Sequence, residues 1–113
     1  MGKNSEDLAT DYLVGHGYQI LDRNIVFHKF ELDIIAFDPK FQELVFVEVK
    51  SRRTGQYGDP SQAVNQHKLK NMKTVAHIYQ TKHNYRGDYR FDIVSVLANH
   101  QVKHYTNVSW YMR

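Results

Sequence analysis

Apolar residues crowd the segment Leu44 to Lys50 (LVFVEVK) almost without a break until Glu48, the pattern of a central strand buried on both faces. Two segments before it are β-rich but alternate imperfectly. Ile20, Leu21, Ile25, Val26 and Phe27 mark Tyr18 to Phe27, and Glu31 to Phe37 (ELDIIAF) forms the second, closed by a turn at Asp38-Pro39. At the start of the chain Leu8, Ala9, Tyr12 and Leu13 fall on one helical stripe. Asn4 or Ser5 can cap that helix, Glu6 and Asp7 sit in its first turn, and Gly15 and Gly17 end it, which predicts a helix near Glu6 to Val14.

Beyond a basic, glycine-containing loop from Ser51 to Gly58, the run Asp59-Pro60-Ser61-Gln62 reads as a helix start. It combines an Asp cap, proline at the first helical position and a glutamine that completes a capping box, so a long helix is expected over Pro60 to Lys82. Arg90 to Leu97 (RFDIVSVL) and Val102 to Met112 then supply one or two closing strands around a turn at Ala98-Asn99-His100. The expected fold class is α/β: a mixed sheet of four or five strands flanked by helices, in the order α-β-β-β-α-β-β. No repeat, linker or low-complexity tract divides the chain, so residues 1–113 are read as one domain.

Composition narrows the chemistry. The absence of cysteine rules out a disulfide framework, a cysteine-based zinc site and a thiol nucleophile, and makes the cytoplasm the default location. The polar start Gly2 to Asp7 lacks the apolar stretch of a signal peptide, and no run of apolar residues approaches bilayer-spanning length, so no membrane partner is expected. Fifteen lysines and arginines against twelve acids leave a formal charge of +3, which suits a polyanionic partner but is shared by many ordinary domains.

The candidate chemistry lies where polar residues interrupt apolar strands. Side chains at i and i+2 of a strand share a face, so Glu48 and Lys50 project together while Val47 and Val49 pack the other way. A lone Glu-x-Lys is ordinarily a salt bridge at a strand end. Asp33 changes that reading, because it sits between Leu32 and Ile34 in another apolar strand, where the plain alternative is an edge or turn acid. Two inward acids on adjacent strands repel, and a divalent cation resolves the repulsion. Mg²⁺ or Mn²⁺ favours a donor set of carboxylates and a backbone carbonyl, here Asp33, Glu48 and Val49, and keeps positions free for a phosphate. Lys50 is then placed to orient the attacking water or to stabilise charge developing in phosphodiester cleavage.

Glu6 lies on the margin of the core-facing side of the first helix and is a fourth catalytic candidate; its alternative reading is an acid complementing the helix dipole. Lys68 falls in the apolar stripe of Val64, Met72, Val75 and Tyr79, either reaching back to the metal-bound phosphate or snorkelling along that face. Arg52, Arg53, Lys70 and Lys73 are phosphate-contact candidates, or else a solvated basic face. His100 and His104 have helical i, i+4 spacing in a stretch that reads as strand, so they are not taken as a zinc pair, and Asp92 is read as a structural acid.

Several motifs, taken together, carry a family resemblance. Ser5-Glu6-Asp7-Leu8-Ala9, Gly17-Tyr18-x-Ile20-Leu21-x-Arg23-Asn24, Glu31-Leu32-Asp33-Ile34-Ile35-Ala36, Val45-Phe46-Val47-Glu48-Val49-Lys50-x-Arg52, Tyr57-Gly58-x-Pro60 and Arg90-Phe91-Asp92-Ile93-Val94 resemble the YraN family of small bacterial proteins, collinearly over about residues 2–97. That family is similar to the PD-(D/E)xK nucleases, in particular archaeal Holliday-junction resolvases. The resemblance implies a restriction-endonuclease-like core in which Asp33 is the first acid of the motif and Glu48 and Lys50 its (D/E)xK. It also places an acid in the first helix and a lysine in the second, matching Glu6 and Lys68. Ser5 and Phe30 stand where the family usually has glycine.

The expected function is a Mg²⁺- or Mn²⁺-dependent endonuclease acting on DNA, with branched or distorted DNA implied by the resolvase resemblance. The alternative is a non-catalytic nucleic-acid-binding or protein-interaction module that keeps the fold. A resolvase-like enzyme would need two sites and hence a homodimer, although no apolar stripe is clearly spare for an interface.

Overall fold

In the computed structural model the described residues are 2–52 and 66–111. Among them the order is α1 (Ser5–Gly15), β1 (Gln19–Phe27), β2 (Phe30–Asp38), β3 (Glu43–Arg52), α2 (Gln66–Lys82), β4 (Asp88–Leu97) and β5 (Val102–Tyr105), followed by a 3-10 turn at Val108–Tyr111. This is the α-β-β-β-α-β-β order that the sequence pattern predicts. The helix-start signal at Asp59-Pro60-Ser61-Gln62, together with Arg53, Tyr57 and Val64, lies outside the described residues.

The five strands form one mixed sheet in the order β1-β2-β3-β4-β5. β1, β2 and β3 make an antiparallel meander, β4 runs parallel to β3 after the crossover through α2, and β5 returns antiparallel along β4. A parallel pair needs such a crossover, and the helix it contains covers one face of the sheet. That is why LVFVEVK is apolar on both faces. Leu44 and Phe46 pack with Leu69, Met72, Val75 and Tyr79 under α2, while Val45 and Val47 pack with Ala9 and Leu13 under α1. Phe46 is fully buried with its ring centroid 5.7 Å from that of Phe91 and 6.1 Å from that of Tyr79, a burial that contributes about 1.5–3 kcal/mol.

Local signals explain the ends of α1. Asn4 is the N-cap, its side chain accepting from the Asp7 amide at 2.8 Å, and Gly17 adopts φ +90° just past the helix. At the other end of the chain the structure corrects the expected strand Val102 to Met112. β5 stops at Tyr105, because Asn107 turns the chain at φ 52° and gives its amide to the buried Asp92 at 2.9 Å.

Asp92 belongs to a buried polar network under α1, at the end of the sheet where β3 and β4 begin. Arg90 donates to Asp92 (3.0 Å), Asp38 (2.9 Å), Glu43 (2.8 Å) and the Tyr18 hydroxyl (2.8 Å), and His104 Nε2 lies 2.7 Å from Asp92. Burial alone would lower the pKa of Arg90, but the hydrogen-bonded carboxylates of Asp92, Glu43 and Asp38 outweigh it and hold the guanidinium charged. The reading of Asp92 as a structural acid agrees with this placement.

Candidate active site

Hydrogen-bonded pairing between β2 and β3 ends at Ile34 opposite Val47. Beyond that pair the two strands part, and Asp33, the next residue of β2, accepts from the Val49 amide of β3 at 2.7 Å. A side-chain carboxylate thus satisfies a backbone donor that the ladder no longer serves. The same contact sets Asp33 beside Glu48, which faces α2 by the alternation of β3.

Glu48 is 7% exposed and paired with lysines from two elements. Its Oε2 lies 3.2 Å from Lys68 Nζ and 4.0 Å from Lys50 Nζ. Burial, and next to it the Asp33 carboxylate, push the Glu48 carboxyl up to about 7, against the pull of Lys68. The structure therefore brings together Asp33, Glu48, Lys50 and Lys68 at the end of β3. Each lysine is about one-third exposed, so both keep an open side toward solvent. Lys68 stays in line with Met72, Val75 and Tyr79 by running its aliphatic stem along the helix and its ammonium to the carboxylate.

The folded chain binds a proton at Glu48 between the ordinary carboxylate value of 4.5 and about 7, where the unfolded chain does not. Stability linked to this group is fully present below 4.5 and is lost as pH rises through about 7. Glu48→Gln is neutral at all pH, so it is expected to melt above the wild type at pH 8 in EDTA, with the gap closing at pH 4.5. Paired thermal melts check this; a wild type as stable as the variant at pH 8 would contradict the buried-charge account.

The other candidates are placed differently. Glu6 is engaged by Arg23, whose Nε donates to Glu6 Oε1 at 3.1 Å and whose Nη2 donates to Asp7 at 2.8 Å, tying the first turn of α1 to β1. Arg52 follows Lys50 at the end of β3 and is half-buried, whereas Lys70 and Lys73 are exposed on α2. His104 meets Asp92 and, at 3.3 Å, the Tyr12 hydroxyl, while His100 sits exposed in a turn at φ 69°. Sequence reasoning did not single out Lys29 and His67, which line a cleft beside the site with Phe30, Lys70 and Asn71.

No three or more His, Asp or Glu side chains converge as a ready-made metal cage among the described residues. A divalent ion would meet two carboxylates from neighbouring strands, supplemented by main-chain oxygen. The donor chemistry fits a hard cation: all-oxygen ligands, and two acids whose mutual repulsion a dication would relieve.

The model of a family described as "Uncharacterised protein family UPF0102" matches residues 5–96. Among its relatives, a UPF0102 protein of Pelobacter propionicus is 37% identical over 111 residues, covering 94% of this chain and 79% of that one. A UPF0102 protein of Caldicellulosiruptor bescii is 41% identical over 101 residues, covering 88% and 83%. Among solved structures, a repair endonuclease from Pyrococcus abyssi aligns with a TM-score of 0.48 at 17% identity, over 88% of this chain and 42% of that one. An EndoMS–dsDNA complex aligns with a TM-score of 0.47 at 15% identity, over 86% and 36%. The chain thus spans less than half of either structure. No helix among the described residues is long and apolar enough to cross a membrane.

Proposed function

We propose that this chain, which belongs to the UPF0102 family, is a divalent-metal-dependent nuclease that hydrolyses phosphodiester bonds in DNA. One observation carries the reading: Asp33 and Glu48, from strands that have just parted, stand together at a sheet end with two lysine ammonium groups beside them. An acid pair held purely for packing would be replaced at lower cost by apolar residues, since burying two carboxylates together destabilises the fold.

Asp33, Glu48 and the carbonyl of Val49 would hold Mg²⁺ or Mn²⁺. When bound, the ion supplies Lewis-acid activation of water and neutralisation of phosphate charge. The chain's own groups do the rest. The Val49 amide fixes the Asp33 carboxylate through Oδ2, and Glu48 stands against the same carboxylate. Lys68 fixes Glu48 and offsets its charge. Lys50 projects from the same face as Glu48 at the open strand end, where its ammonium meets negative charge building on the scissile phosphate. Arg52 extends this positive surface along the strand and contributes to affinity through phosphate contact.

The test is a separation of rate from affinity. Lys50→Ala is expected to slow metal-dependent cleavage by about 10²–10³-fold with little change in DNA affinity, the signature of a group acting on the transition state. Arg52→Ala is expected to do the reverse, lowering the salt slope of binding by about one and leaving the rate at saturation nearly unchanged. Should wild-type protein bind DNA while no metal supports cleavage, the non-catalytic binding module takes the place of the enzyme.

A further inference from the structure

Beside the candidate site, the β1–β2 hairpin and the first turns of α2 enclose a cleft of about 460 Å³ lined by Lys29, Phe30, His67, Lys70 and Asn71. We propose that this cleft seats an unpaired nucleotide of the DNA strand adjoining the bond to be cut; the inference rests on the nuclease reading above and specifies its substrate as DNA with a single-stranded segment.

Charge, shape and position support one occupant. Among the described residues no acid lines the cleft, while Lys29 comes from the hairpin and Lys70 from the helix, so lysines face it from both walls with His67 beside them. A phosphodiester complements such a surface. Phe30 presents an aromatic ring on the hairpin wall, with Lys29 Nζ 5.8 Å from its centroid. Aromatic faces flanked by cations bind bases by stacking, and only a base free of its duplex neighbours can offer that face. The Asn71 amide adds a donor and an acceptor within the same space. The volume falls in the range of pockets that hold one small ligand, about 300–1,000 Å³, which suits a nucleotide and not a base pair in its helix.

Both walls run into the candidate site. Phe30 precedes Asp33 by three residues of β2, about 10 Å along an extended strand. On α2, Lys68, whose ammonium meets Glu48, lies between His67 and Lys70. A strand whose phosphate reaches Asp33 and Glu48 is therefore led into the cleft within a nucleotide or two.

The test is fluorescence anisotropy in EDTA, using a fluorescein-labelled single-stranded DNA oligonucleotide and the same oligonucleotide annealed to its complement. The proteins are wild type, Phe30→Leu, the double variant Lys29→Gln/Lys70→Gln and, as a remote control, Lys40→Gln. Wild type is expected to bind the single strand more tightly than the duplex. Phe30→Leu should weaken single-strand binding by about tenfold while changing duplex binding little. The double variant should lower the single-strand salt slope by about 1.4, two phosphate contacts at about 0.7 each. Circular-dichroism melts check that Phe30→Leu stays folded, and the lysine pair, exposed on the surface, gives an independent readout. If wild type prefers duplex, or if both variants bind the single strand as wild type does while cleavage activity is intact, the cleft assignment is overturned and the nuclease reading stands. If wild type binds neither probe and, in a parallel reaction with Mg²⁺ or Mn²⁺, cuts neither, the nuclease reading falls and the cleft assignment with it.

Discussion

Asp33→Asn is expected to lower metal-dependent DNA cleavage by at least about 10³-fold while leaving DNA affinity unchanged or slightly higher. The substitution is isosteric, and the asparagine carbonyl can still accept from the Val49 amide, so the parting of β2 and β3 is preserved. What disappears is the charge. A dication would then face a single carboxylate where it had two, and loss of a negative group near the phosphates favours binding of the polyanion. The same change removes the Asp33 charge, which after burial is the largest cause that pushes the Glu48 carboxyl up, so its titration should move back toward the ordinary range. Rate and affinity measured on the same preparation check the prediction; cleavage at the wild-type rate would remove Asp33 from the site.

Arg90→Met is expected to destabilise the fold by about 3–5 kcal/mol, the range for removing one partner of a buried ionic network. Asp38, Glu43 and Asp92 all accept hydrogen bonds from this one guanidinium, which is 7% exposed, and methionine fills similar space without offering a donor. Against a total stability of about 5–15 kcal/mol, the melting temperature should fall by about 10 °C or more. Adding Asp92→Asn to Arg90→Met should recover part of the loss by removing one orphaned charge. A variant within about 1 kcal/mol of wild type would contradict the network account. The network lies at the other end of β3 from Glu48 and on the opposite face of the sheet, so any cleavage activity per folded molecule is expected to persist.

How much of this was legible in the sequence depends on the range of the interactions. Asp33 and Glu48 were visible because an acid inside an apolar strand violates local patterning, and Lys68 because a lysine in a helical apolar stripe does the same. Element order was visible because hydrophobic period and turn residues are local. The Arg90 network was not, since Arg90 and Asp38 are 52 residues apart and only strand register brings them together. The early end of β5 has the same origin: Val102 to Tyr105 reads on as strand until the tertiary bond from Asn107 to Asp92 turns it. Glu6 could be placed on a helix margin by periodicity, but its partner Arg23 depends on how β1 crosses α1. The cleft joins a hairpin tip to a helix nearly 40 positions later in sequence, and neither Lys29 nor His67 carries a local signal of that meeting.

The central claim is that the Asp33–Glu48 pair supports metal-dependent phosphodiester cleavage. Its most direct test incubates wild-type protein with linear, flapped and four-way DNA in Mg²⁺, in Mn²⁺ and in EDTA, and resolves the products on a denaturing gel. The account predicts cleavage with Mg²⁺ or Mn²⁺, strongest on DNA containing unpaired nucleotides, and none in EDTA. Intact DNA under every metal condition, from protein shown to be folded and to bind the same DNA, would contradict it.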